Sequence, residues 1–575
     1  MRLINVPVLL EFEISGNINP RAKVMEERND TAIKYAILSH RWSNEVNYSE
    51  MVGLTTIEKK DSDDVRKRAG FQKIISSCQQ AQVDGLEWLW VDTCCIDKRS
   101  SAELSEAINS MYRWYANSSK CYAYLHDVED ASFPMDRDNE KYHRFNGWSE
   151  WFSRGWTLQE LIAPKDVRFF NKRWNPIGNK YSLASTLHKI TRVPTRILEG
   201  GLSAERVSVA QIMSWAADRE TTRVEDRAYS LIGLFGVHMP MLYGEGCNAF
   251  HRLQLEIIRM SNDQSIFAWG HSVTVGRSGS VLADDPNFFR DCNDVLKKDL
   301  DAFINDLKYD IPSDELLAFE DERHHTYSVT NAGIQMWLPI TPYRWSGSVF
   351  KASLCCYSGA YRKVTILLVL IKSVYYRYFG VTGSSTTMPK FQQLRLGYRT
   401  ELYYDDFTFK FDFRSIFCED FSLQYIYPAD IAFVNDSITL SRAEDRVLSQ
   451  EVVMVYGNQQ GGLRFAIGVG YYPGGYAWAN IICDKLAVKG TVWSSPEEYA
   501  HKAFNDMQLM GTNHSITDIR FYNLVQHVHF PRSIQGVDVI CKQSAKSNGC
   551  LLIIDLTKCM GDCATPRWKP TYVSS

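Results

Sequence analysis

Tyr35-Ala36-Ile37-Leu38-Ser39 is an apolar run that ends on a hydroxyl, with the polar residues His40-Arg41 directly after it. A short run of this kind reads as a buried strand opening into a polar loop. Downstream, Val65, Ala69, Ile74, Cys78 and Ala81 recur at close to helical spacing, which predicts a helix over 65–81. Residues 86–91 (LEWLWV) form an aromatic-rich strand pattern that ends at Asp92. Leu104, Ile108, Met111 and Tyr115 then line one face of a helix over 102–116. Residues 121–125 (CYAYL) are the next strand, 151–162 a helix stopped before Pro164, and 167–170 (VRFF) another strand. Strand and helix in strict alternation imply right-handed crossovers and a parallel sheet covered on both faces. In such sheets ligands bind beyond the carboxyl ends of the strands.

Residues 182–262 read as mainly helical, with 250–260 (FHRLQLEIIRM) the clearest helix. Beyond about residue 275 the pattern changes. Strands are expected at 326–340, 363–372, 407–413, 452–456 and 551–554, with a helical insertion at 294–307. The expected organisation is an α/β domain over 1–180, its helical extension over 181–275, and a β-rich domain of unknown role over 276–575.

The chain has 575 residues, 45% of them hydrophobic and 13% aromatic, which supplies large buried cores. Lys and Arg number 64 against 67 Asp and Glu, and no long basic block occurs, so no nucleic-acid or anionic-membrane partner is expected. The longest apolar stretch, 364–371 (VTILLVLI), is a strand length; a membrane span needs about 20 residues. The amino-terminal stretch MRLINVPVLLEFEIS lacks the pattern of a secretory signal. The 14 cysteines are therefore expected as free thiols in the cytoplasm. The acceptor-like triplets at Asn29, Asn47, Asn117, Asn435 and Asn513 are then inert.

Four ordered blocks resemble the fungal HET (heterokaryon incompatibility) domain. The first is Met1-Arg2-Leu3-Ile4-Asn5 with Tyr35-Ala36-Ile37-Leu38-Ser39-His40-Arg41-Trp42. The second is Trp90-Val91-Asp92-Thr93-Cys94-Cys95-Ile96-Asp97-Lys98 followed by Ser105-Glu106-Ala107-Ile108-Asn109-Ser110-Met111-Tyr112. Arg154-Gly155-Trp156-Thr157-Leu158-Gln159-Glu160-Leu161 is the third, and the fourth runs from Glu225-Asp226-Arg227-Ala228-Tyr229 to Tyr243-Gly244-Glu245-Gly246. The nucleotide-binding domain of some relatives would show a P-loop, and the sequence contains none. HET domains in turn are similar to TIR domains, whose S-x-W-C-x-x-E-L motif is matched by Trp156 and Glu160; an extra residue follows Ser153, and Thr157 stands in place of the Cys. The resemblance implies a flavodoxin/TIR-like sheet and an NAD+ glycohydrolase site with Glu160 as its catalytic carboxylate. It further implies an incompatibility effector that drives programmed cell death and forms a homo-oligomer on activation by an unknown non-self trigger. NAD+ is then a substrate, and no resident cofactor or metal is expected.

Cleavage of the nicotinamide–ribose bond passes through an oxocarbenium-like state with a leaving group that is already cationic. One carboxylate near the ribose can stabilise that charge, and no acid is needed for departure. Glu160 fits this role, with Trp156 one turn earlier as a stacking plate. Ser39, His40, Arg41 and Trp42 follow the first strand, and Asp92, Asp97 and Lys98 the second; these are the substrate-binding candidates. Plainer roles stand beside each one: a solvated glutamate, a core tryptophan, an Arg41 ion pair, an Asp92 that satisfies turn amides. Cys94 and Cys95 lie between acids, which disfavours a thiolate nucleophile. Cys541, Cys550, Cys559 and Cys563 have spacings unlike a zinc finger. His324-His325 and His527-x-His529 lack a metalloprotease context, and Gly468-Val469-Gly470 with Gly474-Gly475 reads as hairpin turns. Against the enzyme stands a non-catalytic signalling module that oligomerises and recruits a cell-death partner.

Overall fold

A computed structural model describes residues 1–15, 22–54, 63–143, 146–270, 279–308, 311, 327–343, 346–359, 362–371, 373–378, 388–398, 407–413, 421–429, 431–440, 450–458, 463–472, 476–483, 494–513, 524–530, 535–543 and 549–558. The chain divides into two compact units. The first comprises Met1–His271, Leu282–Phe303 and Leu354–Val364; the second comprises Ser272–Val281, Ile304–Ser353 and Thr365–Ser575.

The strands of the first unit's main sheet are β1 (Arg2–Asn5), β2 (Met25–Glu27), β3 (Ala36–His40), β4 (Trp88–Trp90), β5 (Lys120–Tyr124), β6 (Val167–Phe170) and β7 (Pro176–Asn179). Their order is β2-β1-β4-β3-β5-β6-β7. The inner four are parallel, with Ala36 opposite Leu89 on one side and Lys120 on the other. All five residues of β3 are buried, as expected of a central strand with both faces covered. The chain leaves β3 for β4 on one side and then crosses back to β5 on the other, so strand order reverses at β3. The flanking helices include α1 (Val6–Ser15), α2 (Tyr48–Leu54), α3 (Asp63–Arg66), α4 (Ala69–Val83), α5 (Ser101–Asn117) and α6 (Thr157–Ile162). Ser100 caps α5 by accepting the Glu103 amide, and Ala107, Ile108, Met111, Trp114 and Tyr115 form its buried face.

The sheet is mixed rather than wholly parallel. β1 and β2 add antiparallel strands beside β4, and β7 returns antiparallel to β6 through a short turn. In that turn the Asn171 side chain accepts the amides of Arg173 and Asn175 at 3.0 and 2.9 Å. The helix expected over 151–162 is broken in two. Glu150–Ser153 is a 3-10 turn, Arg154 is extended, and only Thr157–Ile162 is α-helical. The cause is tertiary: the Gly155 amide donates to the Glu220 carbonyl at 2.9 Å and the Glu220 amide to that of Ser153, so these groups do not serve a continuous helix. A Cβ at Gly155 would lie 2.6 Å from Thr221 Cγ2, so a larger residue here would force Thr221 to shift.

The expected helical stretch is α7 (Ala184–Thr191), α8 (Thr195–Gly200), α9 (Val209–Ala216), α10 (Asp226–Tyr229), α11 (Ile232–Phe235) and α12 (Asn248–Met260). Ser208 and Gln211 form a capping box at the start of α9. The insertion expected to be helical over 294–307 begins instead as a strand, β8 (Val295–Lys297), paired with residues 356–358, and only α13 (Leu300–Leu307) is helical.

The second unit is β-rich. β9 (Ser328–Thr330), β10 (Gly333–Tyr343), β11 (Ser346–Ser358, whose residues from Leu354 on belong to the first unit), β12 (Arg362–Ile371, in the second unit from Thr365 on), β13 (Val374–Tyr378) and β14 (Lys390–Leu396) are mostly antiparallel, with β10 and β14 paired from Ile334↔Leu396 to Ile340↔Lys390. The remainder is β15 (Phe407–Phe413), β16 (Phe421–Tyr427), β17 (Phe433–Val434), β18 (Ser437–Leu440), β19 (Gln450–Asn458), β20 (Leu463–Tyr472), β21 (Tyr476–Cys483), α14 (Pro496–Asn513), β22 (Leu524–His529), β23 (Gln535–Gln543) and β24 (Gly549–Lys558). Two sheets, β17-β18-β15-β24-β23-β22 and β16-β19-β20-β21, share one core. The alternation of β19 explains its unbroken apolar run. Val452, Met454 and Tyr456 face that shared core, while Val453 and Val455 pack with Tyr499, Ala500 and Ala503 of α14. Gly468 and Gly470 lie inside β20, paired on both sides with β19 and β21, and not in a turn; Gly474-Gly475 fall outside the described residues. Among the described residues, no helix is long and apolar enough to cross a membrane.

Candidate functional site

Glu160 is the residue around which the site is built. All six residues of α6 are buried, and Glu160 keeps only 7% of its surface exposed. Its carboxylate accepts from the hydroxyl of Ser39, the fourth residue of β3, and Ser39 Oγ accepts from Trp151 Nε1 at 2.9 Å. Tyr115, whose hydroxyl reaches the Leu38 carbonyl at 3.2 Å, stands on the same carboxylate from α5. Burial pushes Glu160 up to about 8, with the charge of Asp92 adding to it and the hydrogen bonds of Ser39 and Tyr115 opposing.

Next to it, at the carboxyl ends of β3 and β4, lies a compact set of charges. His40 Nε2 is 3.4 Å from Glu45 Oε2, and its Nδ1 is 4.0 Å from Asp92 Oδ1. Lys73, buried on α4, pairs with Glu45 and donates to the Arg41 carbonyl at 3.3 Å. Burial alone would raise the Glu45 carboxyl; His40 and Lys73 outweigh it and hold the group at about 2. Trp42 is 50% exposed, donates through Nε1 to Asp92 Oδ2 at 2.8 Å, and lies under Lys98 Nζ, 3.5 Å from the ring centre. Arg41 pairs with Glu150 of the 3-10 turn, and His126 Nε2 is 3.8 Å from the same Glu150 oxygen.

Ser39, His40, Arg41, Trp42, Asp92 and Glu160 are thus brought to one end of the sheet. Asp97 and Trp156 are engaged elsewhere. The Asp97 carboxylate is forked by Arg99, at 2.9 and 2.8 Å, within its own loop. Trp156 is half-buried at the start of α6, and its indole hydrogen-bonds Asp226, which also accepts from Tyr243 at 3.0 Å. Ser153 donates to the Glu150 carbonyl at 2.7 Å. The tryptophan beside Glu160's hydrogen-bond partner is Trp151, five residues earlier than Trp156. Sequence reasoning also missed Tyr115, Lys73, Glu45 and Glu150, which come from four separate segments; only their side-by-side placement in the fold marks them.

Two buried cations hold the ends of α6. Arg219 donates to the Arg154 carbonyl at 2.9 Å and to Thr157 Oγ1 at 3.1 Å. Lys180 donates to the carbonyls of Leu161 and Ile162 at 3.3 and 3.4 Å and to that of Pro164. The second cation completes carbonyls at the helix carboxyl terminus, where positive charge is favoured. In the fourth sequence block Glu225 plays a structural part: its Oε1 accepts the amides of Gly244 and Gly246 at 2.7 and 3.1 Å.

Chemically, the site offers a buried carboxyl of raised pKa, a partly exposed guanidinium and an exposed indole. Among the described residues no group of three or more His, Cys, Asp or Glu could hold a metal ion. The side chains of Cys541, Cys550, Cys559, Cys563, His324, His325, His527 and His529 lie outside the described residues.

Residues 35–147 match the family "Heterokaryon incompatibility protein (HET)", and residues 248–355 match a domain of unknown function, DUF8212. The Vegetative incompatibility protein HET-E-1 of Podospora anserina is 44% identical over 253 residues, which is 43% of this chain and 18% of that protein. The chain therefore spans less than a fifth of the length of the curated relative it matches. Among solved structures, the Xerocomus chrysenteron lectin XCL is 12% identical and covers 26% of this chain and 97% of its own, with a TM-score of 0.17, too low to carry a shared fold. The amino-terminal part of this chain carries a heterokaryon incompatibility (HET) domain.

Proposed function

We propose that the chain is an effector of heterokaryon incompatibility. Its flavodoxin/TIR-like domain over 1–180, extended by 181–275, hydrolyses NAD+ in the cytoplasm and so triggers programmed cell death. The supporting observation is the position of Glu160: a carboxyl of raised pKa, fixed by Ser39 at the end of the central parallel strand where strand order reverses. The parallel order β4-β3-β5-β6 supports the flavodoxin-like reading, and the HET match begins at residue 35, just before β3. Glu160 favours the protonated form at neutral pH in the resting protein. NAD+ carries a positive nicotinamide ring, and a cation near a carboxyl lowers its pKa. Substrate seating thereby ionises the group that then faces the oxocarbenium. Activation by homo-oligomerisation is part of this reading, as is a still undefined role for 276–575.

A second reading, a non-catalytic module that oligomerises and recruits a cell-death partner, is favoured by one observation. Glu160 is almost fully covered and hydrogen-bonded, as a structural acid would be. NAD+ consumption by the full chain, at low and high protein concentration, separates the two. Cleavage that rises with concentration and disappears in Glu160→Gln supports the hydrolase. A wild type that leaves NAD+ intact at both concentrations supports the module.

A further inference from the structure

Resting on the reading of this site as one for a dinucleotide, we infer that Arg41 recognises the diphosphate and that Glu150 is its internal competitor, passing to His126 when a diphosphate takes Arg41.

Among the described residues, Lys73, Lys98 and Arg41 stand at this end of the sheet, and they differ in how freely they can change partners. Lys73 has 6% of its side chain exposed and is committed to Glu45 and to the Arg41 carbonyl. Lys98 lies over the Trp42 ring. Arg41 has 33% of its side chain exposed and, among the described residues, meets one carboxylate, Glu150, through Nη1. A guanidinium fork takes a carboxylate and a phosphate by the same two-point geometry. Glu150 thus holds Nη1, one of the two nitrogens a phosphate fork would use, and an incoming diphosphate exchanges one anion for another without exposing a new charge.

The displaced carboxylate has somewhere to go. His126 Nε2 is 3.8 Å from the Glu150 oxygen that meets Arg41. The backbone stays in place during the exchange, because Asp127 accepts the Glu150 amide at 2.8 Å and the Ser149 hydroxyl at 2.6 Å. The groups acting on His126 are Asp127, Glu150, Arg41 and Lys73. Burial depresses its basicity, the two acids support the imidazolium, and the two cations oppose it. Neutralising Arg41 with phosphate and turning Glu150 to the ring both favour protonation. Binding of a diphosphate therefore takes up protons, a signature that a purely structural Arg41–Glu150 pair lacks.

The test is calorimetric titration of the full chain with ADP-ribose, which has the diphosphate but no nicotinamide bond to cleave, in two buffers of different ionisation enthalpy. Inorganic pyrophosphate serves as the second probe. Wild type is expected to bind ADP-ribose with net proton uptake. Glu150→Gln, nearly isosteric, is expected to bind roughly three- to tenfold tighter, the scale of one part-buried ion pair, and to lose the uptake. Arg41→Gln removes the same ion pair, yet it is expected to weaken ADP-ribose and pyrophosphate alike by on the order of tenfold or more. Opposite shifts in the two variants carry the inference. It is overturned if both variants shift affinity in the same direction, or if wild type binds without proton uptake, a measurement that needs no variant to fold. Absence of any ADP-ribose binding overturns it as well. The expected binding pattern in a protein that leaves NAD+ intact keeps the Arg41 assignment and removes the hydrolase reading. NAD+ cleavage with both variants shifted alike does the reverse.

Discussion

The indole of Trp151 donates to Ser39 Oγ at 2.9 Å, and the hydroxyl it fixes donates onward to Glu160. An indole N–H can only donate, so it assigns the hydroxyl's roles: Ser39 accepts from Trp151 and directs its own proton to the carboxylate. Trp151→Phe keeps an aromatic ring against Phe152 and Phe169 but removes this orientation. The expected cost is about 1–3 kcal/mol of stability, for a lost buried hydrogen bond and a small void. If the site is the proposed hydrolase, NAD+ cleavage should fall with it. Trp156→Phe removes an indole that serves Asp226 and should leave the pH dependence set by Glu160 unchanged. Denaturant melts and pH–rate profiles of the two variants separate these roles.

Lys180 holds the far end of the same helix. Burial pushes its amine down to about 8 from an ordinary value of 10.5. In the unfolded chain the amine keeps its proton to higher pH, so this group adds stability as pH rises from about 8 to 10.5 and has no pH effect well below 8. Lys180→Met leaves the buried carbonyls of Leu161, Ile162 and Pro164 without this donor. It should destabilise the protein by about 1–3 kcal/mol at pH 6. It should also abolish the rise above pH 8 in thermal melts. A variant as stable as wild type at pH 6 would show that the helix end needs no clamp.

The thiols of the HET domain give a third expectation. Cys78, Cys94, Cys95 and Cys121 are buried, whereas Cys247 is exposed. Burial raises Cys78 and Cys121; for Cys94 the hydrogen bond with Cys95 leads, and burial adds to it. Alkylation follows the thiolate. In peptide mapping of native protein treated with iodoacetamide, Cys247 should be modified while those four react only after unfolding. Rapid native labelling at Cys94 would restore a cysteine nucleophile to consideration.

The inner sheet was legible because each of its strands is an apolar run and the crossover helices over 65–81 and 102–116 show a near-3.6 period, as in Leu104, Ile108, Met111 and Tyr115. β1, β2 and β7 (RLIN, MEE and PIGN) carry at most two adjacent apolar residues each, so no apolar run marks them. The break before α6 was invisible for another reason: Gly155 pairs with Glu220, 65 positions away, and no local pattern encodes that partner. Trp156 still lies one turn before Glu160, whose amide donates to its carbonyl at 3.4 Å, but its indole serves Asp226, and it is Trp151, ahead of the break, that meets Ser39. Ser39 and Glu160 could be named from strand end and resemblance, but Lys180 and Arg219 could not, because a cation that satisfies carbonyls has no sequence signature.

Glu160 itself ties stability to function. Its folded-state pKa of about 8 lies above the ordinary 4.5, so between these values the folded chain keeps a proton that the unfolded chain releases. The contribution is present in full below about pH 4.5 and is lost as pH rises through 8. The slope is about 1.4 kcal/mol per pH unit for one such group, and the total is on the order of a few kcal/mol. Glu160→Gln keeps the size and an acceptor for Ser39 but cannot ionise. Near pH 5 it should melt close to wild type, and at pH 9 it should melt higher, because wild type then carries a buried charge that the variant lacks. If Glu160 is the carboxylate that faces the oxocarbenium, the same variant loses NAD+ cleavage by on the order of 10²-fold or more. A gain in alkaline stability together with a loss of activity marks a group whose retention serves function at the expense of the fold. Equal melting curves for the two proteins from pH 5 to 9 would mean that the carboxyl titrates normally and is hydrated. Undiminished cleavage by a folded Glu160→Gln protein would remove this residue from the chemistry.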